Sequence, residues 1–260
     1  MTDPDVAPLF SGVGVALVTL FDDDGGVDTA GTARHAATLV ELGVRAVLVG
    51  GSTGEAMALD PTERTALVEA VRGAVPDDVP VLAGTGAPSG RQAAELTRAA
   101  VGAGADAVLV LSPPQTRDPR RYYDEVAKAA VGVPVLGYHF PTVSAPGLPV
   151  EVLADLPIVG LKDSTGDAER LLREVVDYSG LVYVGSPTVL TMAGAVGATG
   201  ALLAIANAVP ELCAAAFAGD GTAQRDVLDA HRTARGSFPD GLKRLTAQRF
   251  GTSEVARMGA

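Results

Sequence analysis

Apolar residues in this chain come in short unbroken runs, each followed by a polar or glycine-rich turn. The series is Gly12 to Leu20, Arg45 to Val49, Pro80 to Ala83, Asp106 to Leu111, Pro134 to Tyr138, Ile158 to Leu161, Leu181 to Val184 and Thr199 to Ile205. Runs that do not alternate with polar positions predict strands covered on both faces, as in a parallel sheet. Helix-start signals lie between them. Asp28 caps a helix to about Leu42, and Asp60, Pro61 and Glu63 combine a capping box with a first-turn proline. Ser89 with Gln92, then Asp118-Pro119, then Asp167 open three more, the last running to Tyr178. A longer loop, His139 to Pro149, and a short helix follow the fifth run, and Asn207 and another helix follow the eighth.

Strand–helix units that recur roughly every 20 to 35 residues predict an α/β fold, a closed (β/α)8 TIM barrel rather than an open sheet. The whole chain, 1–260, is expected to be a single barrel domain, with about 221–260 a short C-terminal helical extension of two segments.

Composition narrows the function classes. Hydrophobic residues make up 47% and charged residues 20%, enough for a sizeable core. With 20 basic against 31 acidic residues the net charge is -11, which argues against nucleic acid or an anionic membrane as main partner but leaves small anionic substrates open. The lone Cys213, in an alanine-rich helical run, reads as a small core residue and points to a reducing compartment. No signal-peptide pattern and no spanning apolar run is seen, so a cytoplasmic location is expected. His35, His139 and His231 stand apart without paired-ligand spacing, so no metal site is expected. Gly84-Thr85-Gly86 is not a dinucleotide fingerprint, since the next glycine, Gly90, comes one position late.

In a barrel, residues after the strand C-termini face one mouth. The second strand would deliver Ser52 and Thr53, the third Thr85, the fifth Tyr138, the sixth Lys162, and the seventh Gly185 and Ser186. Glycines beside hydroxyls and backbone amides suit a carboxylate. An amine at the end of an apolar strand loses hydration, favours its neutral form and becomes a nucleophile toward carbonyls. The imine it forms with a ketone is an electron sink for making or breaking an adjacent carbon–carbon bond. The plainer alternative is a lysine snorkelling to water. Tyr138 reads as a proton relay or as packing, and His139 as functional or as a packed loop residue.

These residues carry a resemblance. Gly50-Gly51-Ser52-Thr53-Gly54-Glu55 resembles the Gly-Thr-Thr-Gly-Glu motif of the dihydrodipicolinate synthase/N-acetylneuraminate lyase family, and Ala83-Gly84-Thr85-Gly86 its third-strand motif. Tyr138-His139-Phe140-Pro141 is similar to its Tyr-Asn-Val-Pro, and Gly160-Leu161-Lys162-Asp163-Ser164-Thr165-Gly166 to its Gly-Ile-Lys-Asp-Ser-Ser-Gly. The matches keep their order over most of the chain. The resemblance implies a class I aldolase, usually tetrameric, that binds pyruvate or a related 2-oxo acid as an imine and needs no metal or nucleotide cofactor. It implies Lys162 as the Schiff-base residue and Tyr138 as the proton relay. Ser52 and Thr53, with Gly51, would hold the carboxylate, and Gly185 and Leu202 would line the pocket. The implied partners are a 2-oxo acid, an aldehyde and further copies of the chain.

Departures bear on the second substrate. Dihydrodipicolinate synthases carry a tyrosine pair after the fourth strand, where this chain has Ser112-Pro113-Pro114-Gln115-Thr116-Arg117. They place an arginine shortly after Tyr-Asn-Val-Pro, where this chain has Val143, with Arg117 the candidate substitute from the neighbouring loop. The C-terminal extension is also short for the family. A different 2-oxo acid aldolase, the lysine-pathway synthase itself, a dehydratase using the same imine, and a non-catalytic 2-oxo acid binder therefore stand as alternatives. Gly50-x-Ser52-x-Gly54 also matches a serine-hydrolase elbow. An elbow needs a helix directly after the serine, and here Glu55 to Leu59 intervene before the cap at Asp60.

Overall fold

Four of the eight apolar runs become strands shorter than the runs themselves, and in the first and the last of these pairing ends before the apolar run does. The computed structural model describes residues 7–259, so the polar start of the chain is largely outside the described residues. Eight strands form one closed parallel barrel in sequence order: β1 (Gly12–Ala16), β2 (Val47–Val49), β3 (Val81–Gly84), β4 (Ala107–Leu111), β5 (Val135–His139), β6 (Gly160–Asp163), β7 (Leu181–Val184) and β8 (Gly200–Leu203). Around it lie α1 (Thr29–Glu41), α2 (Pro61–Ala74), α3 (Gly90–Gly102), α4 (Arg120–Ala130), α5 (Ala168–Asp177), α6 (Leu190–Ala195) and α7 (Pro210–Phe217). The chain then adds α8 (Gly221–Arg235) and α9 (Asp240–Phe250), the two helical segments expected beyond the barrel units.

Asp28, Asp60, Ser89 and Asp167 cap their helices where the sequence puts them, while α4 starts after Pro119 without a side-chain cap. Asp60 accepts from Glu63 N at 2.9 Å while the Glu63 carboxylate accepts from Asp60 N at 3.0 Å, a complete capping box at the start of α2. Ser89 and Asp167 accept from Gln92 N and Arg170 N and start α3 and α5 in the same way. The short helix after β5 is a 3-10 turn, Val150–Asp155.

Continuous apolar strands make sense because two shells use them. One shell, including Val13, Val15, Val47, Val81, Val108, Val110, Leu161 and Val182, packs between barrel and helices. The alternate positions, including Ala16, Leu48, Leu82, Leu109, Leu136, Tyr138 and Leu202, fill the barrel interior. Cys213 is a buried core residue on α7.

The first strand ends earlier than its apolar run. Val18 N donates to the Asn207 side chain at 3.1 Å and Leu20 N to the Thr32 hydroxyl at 3.0 Å, so the backbone leaves the ladder while its side chains stay buried. At the N-terminal end, Phe10 and Tyr183 stack inside the barrel at 4.5 Å, and the Tyr183 hydroxyl donates to Phe10 O at 3.0 Å. Gly200 makes room for this plug, since a Cβ there would stand 3.2 Å from the Tyr183 ring.

Candidate active site

Strand register brings the two chemistry-bearing side chains together. Tyr138 on β5 is the Cα partner of Lys162 on β6, and both point into the barrel near its C-terminal end. The lysine nitrogen sits 4.6 Å from the centre of the tyrosine ring. Lys162 is 4% exposed, and burial pulls its pKa down to about 7. A neutral amine is therefore well populated near neutral pH. Burial pushes the Tyr138 phenol up to about 12, with the Ser164 and Ser52 hydroxyls opposing the rise and the Asp163 charge adding to it. Ser164 Oγ donates to the phenol oxygen at 3.3 Å. The phenol thus holds its proton and sits among hydroxyls that could relay it.

Gly185, directly after β7, leaves the room that the lysine occupies. A Cβ there would lie 2.7 Å from Lys162 Cε and would also overlap the Ser164 hydroxyl. Leu202 is fully buried and belongs to the interior cluster that contains Tyr138.

The loop after β2 supplies donors. Gly54 N and Ala56 N turn back onto Gly51 O at 3.0 and 3.2 Å, and Glu55 N onto Ser52 O at 3.2 Å. Among the described residues the Ser52 and Thr53 amides donate no backbone hydrogen bond, which leaves two N–H groups beside the Thr53 hydroxyl for an anion. Ser52 and Thr53, with Gly51, thus lie on one turn, and Ser52 is the member that approaches the phenol.

On the outer face of β6 a charged cluster anchors the lysine strand. The buried Asp163 accepts from Thr165 N and Thr165 Oγ1, both at 2.6 Å, and pairs with Arg170 Nε at 2.7 Å. The same guanidinium nitrogen stands 2.8 Å from Glu174, a fully buried carboxyl pushed up to about 9 by desolvation and by the Asp163 charge.

Two expectations for the mouth, Thr85 and Ser186, are corrected, and of the two readings of His139 the packed one holds. Thr85 turns outward and its hydroxyl meets that of Thr97 on α3 at 3.0 Å, because strand parity aims Gly84, not Thr85, inward. Ser186 is spent locally, its hydroxyl 2.8 Å from Thr188 at the start of a 3-10 turn. His139 is a packing residue: it points outward from β5, its Nδ1 accepts from Leu148 N at 2.7 Å, and burial lowers its pKa to about 4. No serine-hydrolase elbow forms, since a 3-10 turn, Ala56–Ala58, follows the motif and α2 starts only at Pro61. Arg117 is exposed and has no ion-pair partner among the described residues.

Two features escaped the sequence reading. One is Ser164, present in the lysine motif with no role attached. The other is Glu55, whose buried carboxylate pairs with Lys243 of α9 at 2.6 Å and accepts from Arg257 N at 2.7 Å and Met258 N at 2.6 Å. Glu55 itself is left-handed, with φ of 55°. It ties the motif loop to the tail after α9, and its position as the last residue of the motif was the available signal.

The barrel and its buried amine define a class, the Schiff-base lyases of aldolase type. Comparison with known proteins carries this further. Residues 9–228 match the model of the dihydrodipicolinate synthetase family. A 4-hydroxy-tetrahydrodipicolinate synthase of Pseudomonas aeruginosa is 36% identical over 236 residues, covering 85% of this chain and 80% of that protein. An uncharacterized DapA-like lyase of Halobacterium salinarum is 39% identical, covering 77% of this chain and 69% of its own. Among solved structures, a prophage protein of the dihydrodipicolinic acid synthase family from E. coli K12, in complex with pyruvate, superposes with a TM-score of 0.87. The two are 27% identical, and the match covers 97% of this chain and 93% of that one. This chain belongs to the dihydrodipicolinate synthetase family. Among the described residues no helix is long and apolar enough to cross a membrane.

Proposed function

We propose that the protein makes or breaks a carbon–carbon bond next to pyruvate, or a related 2-oxo acid, held as an imine on Lys162. The observation that carries this reading is the buried amine of Lys162, lowered to about 7 beside the Tyr138 phenol. The neutral amine attacks the keto carbon, the carbonyl oxygen leaves as water, and the nitrogen keeps the positive charge. A methyl proton then leaves and the electron pair moves into the C–N system, giving an enamine. Its carbon attacks an aldehyde, whose oxygen takes up a proton, and water releases a 4-hydroxy-2-oxo acid and the free lysine. Every step reverses for cleavage.

In this scheme Tyr138 passes protons between the reacting oxygens, with the Ser164 and Ser52 hydroxyls as its neighbours. Ser52 and Thr53 hold the substrate carboxylate, with Gly51 letting the backbone approach, while Gly185 clears the lysine and Leu202 lines the apolar side. No metal or nucleotide is required, because the iminium nitrogen is itself the electron sink. The imine half is that of a 4-hydroxy-tetrahydrodipicolinate synthase-like enzyme, consistent with the Pseudomonas aeruginosa relative. The acceptor half departs from it at Ser112 to Arg117 and at Val143. The working assembly is a homo-oligomer, a dimer or tetramer, although one dihydrodipicolinate synthase of similar structure is described as a monomeric variant.

The test is reductive trapping. Pyruvate with sodium borohydride should add a stable mass to the Lys162 peptide and none to a Lys162→Ala variant. No adduct with pyruvate or longer 2-oxo acids would refute the reading.

A further inference from the structure

A cavity of about 290 Å³ opens between the motif loop and the tail, walled by Ser52, Glu55, Phe238, Pro239, Met258 and Gly259. That volume lies at the small end of the range for small-molecule sites. Ser52 belongs to both this cavity and the Tyr138 site, which puts the cavity next to the proton relay. We propose that this cavity is the acceptor site and that its ligand is an uncharged, largely apolar aldehyde. The proposal rests on the imine reading above and deepens it.

Charge decides the class. Among the described residues no basic side chain walls the cavity. The two cationic residues that contact Glu55 are already committed. Lys243 gives its ammonium to Glu55 and to Val255 O at 2.6 Å, over the Phe21 ring. Arg257 donates to both Glu63 oxygens at 2.7 and 2.8 Å, to Gly25 O at 2.7 Å and to Ala58 O at 2.9 Å. The one charged residue on the wall, Glu55, is buried with its carboxylate paired to Lys243 and accepting from Arg257 N and Met258 N. The wall therefore presents no free charge of either sign, and a carboxylate-bearing aldehyde would find no partner for its own, which opposes its burial. An apolar aldehyde instead covers Phe238 and Met258, which are 49% and 42% exposed without it. At the Ser52 end of the cavity the aldehyde oxygen faces the Tyr138 relay.

The experiment compares two four-carbon aldehydes, butanal and succinic semialdehyde, which differ by one carboxylate. With pyruvate as donor, the 4-hydroxy-2-oxo acid products are measured by mass. The expected result is a kcat/KM for butanal at least about tenfold above that for succinic semialdehyde, the scale on which a pocket rejects a mismatched group. Phe238→Arg, and separately Met258→Arg, should shrink or invert that ratio by placing a cation on the wall. Borohydride trapping of pyruvate on Lys162 is run beside every protein, and unchanged trapping shows that each variant is folded with its imine half intact. Equal or better use of succinic semialdehyde by the natural protein overturns the proposal. So does a ratio that neither arginine variant moves, or a protein that traps pyruvate yet uses neither aldehyde. In those cases the imine reading survives, whereas absence of the pyruvate adduct overturns both.

Discussion

Replacing Lys162 with methionine is expected to stabilise the protein while removing its adduct-forming chemistry. The ammonium is 4% exposed and, among the described residues, has no hydrogen-bond or ion-pair partner, so its charge faces only the Tyr138 ring. Burial has moved its pKa from the ordinary 10.5 to about 7. Between those values the unfolded chain still binds the proton that the folded chain has released, so stability rises with pH across the window. Below about 7 both states are protonated and the full cost remains. Removing the amine should therefore gain about 4 kcal/mol at pH 7.5 and only about 1.4 kcal/mol at pH 9.5. Methionine nearly keeps the volume of the lysine stem and adds no polar atom, which limits repacking costs. Urea denaturation of both proteins at the two pH values measures the difference directly. A variant no more stable at pH 7.5, or a gain of equal size at both pH values, would refute the argument that desolvation sets the state of this amine.

Tyr138→Phe keeps the ring that stacks on Phe140 at 5.8 Å but removes the relay oxygen. Pyruvate trapping should slow by about 100-fold or more with little loss of thermal stability, as expected for a general acid–base group. Gly185→Ala forces a methyl to within 2.7 Å of Lys162 Cε; it should cost about 1 to 3 kcal/mol in urea denaturation and suppress the trapped adduct. Glu55→Gln leaves the buried Lys243 ammonium without its counter-charge. It should destabilise by about 3 to 5 kcal/mol and expose the segment after α9 to limited proteolysis, read by mass.

The barrel was legible because its signals are local and repeated. The apolar runs gave eight strands in order, and Asp60, Ser89 and Asp167 start their helices through contacts within three residues. Lys162 and Tyr138 were legible for a related reason: each is the last inward position of its strand, and register makes them neighbours. Parity was harder to read. Thr85 and Ser186 also follow strands, but each lies one residue from an inward position and turns to a partner outside the barrel. The end of β1 was hidden because burial continues to Phe21 after pairing stops, and an apolar run reports burial rather than pairing. Glu55 could not be paired with Lys243 from the sequence, since 188 positions separate them and only the closed fold joins them.

The Phe10–Tyr183 plug has a consequence for the order of events. With the N-terminal end of the barrel stoppered by stacked rings, traffic passes through the opposite end. Lys162 is buried, whereas Phe238 and Met258 beside the proposed acceptor cavity are exposed. With the proposed acceptor site at the opening, the 2-oxo acid enters first, and an aldehyde that arrives early blocks its path. Water released by imine formation has to leave before the second molecule seals the way. Excess aldehyde should therefore inhibit competitively with respect to the 2-oxo acid, a kinetic signature written at the end of the barrel farthest from the chemistry.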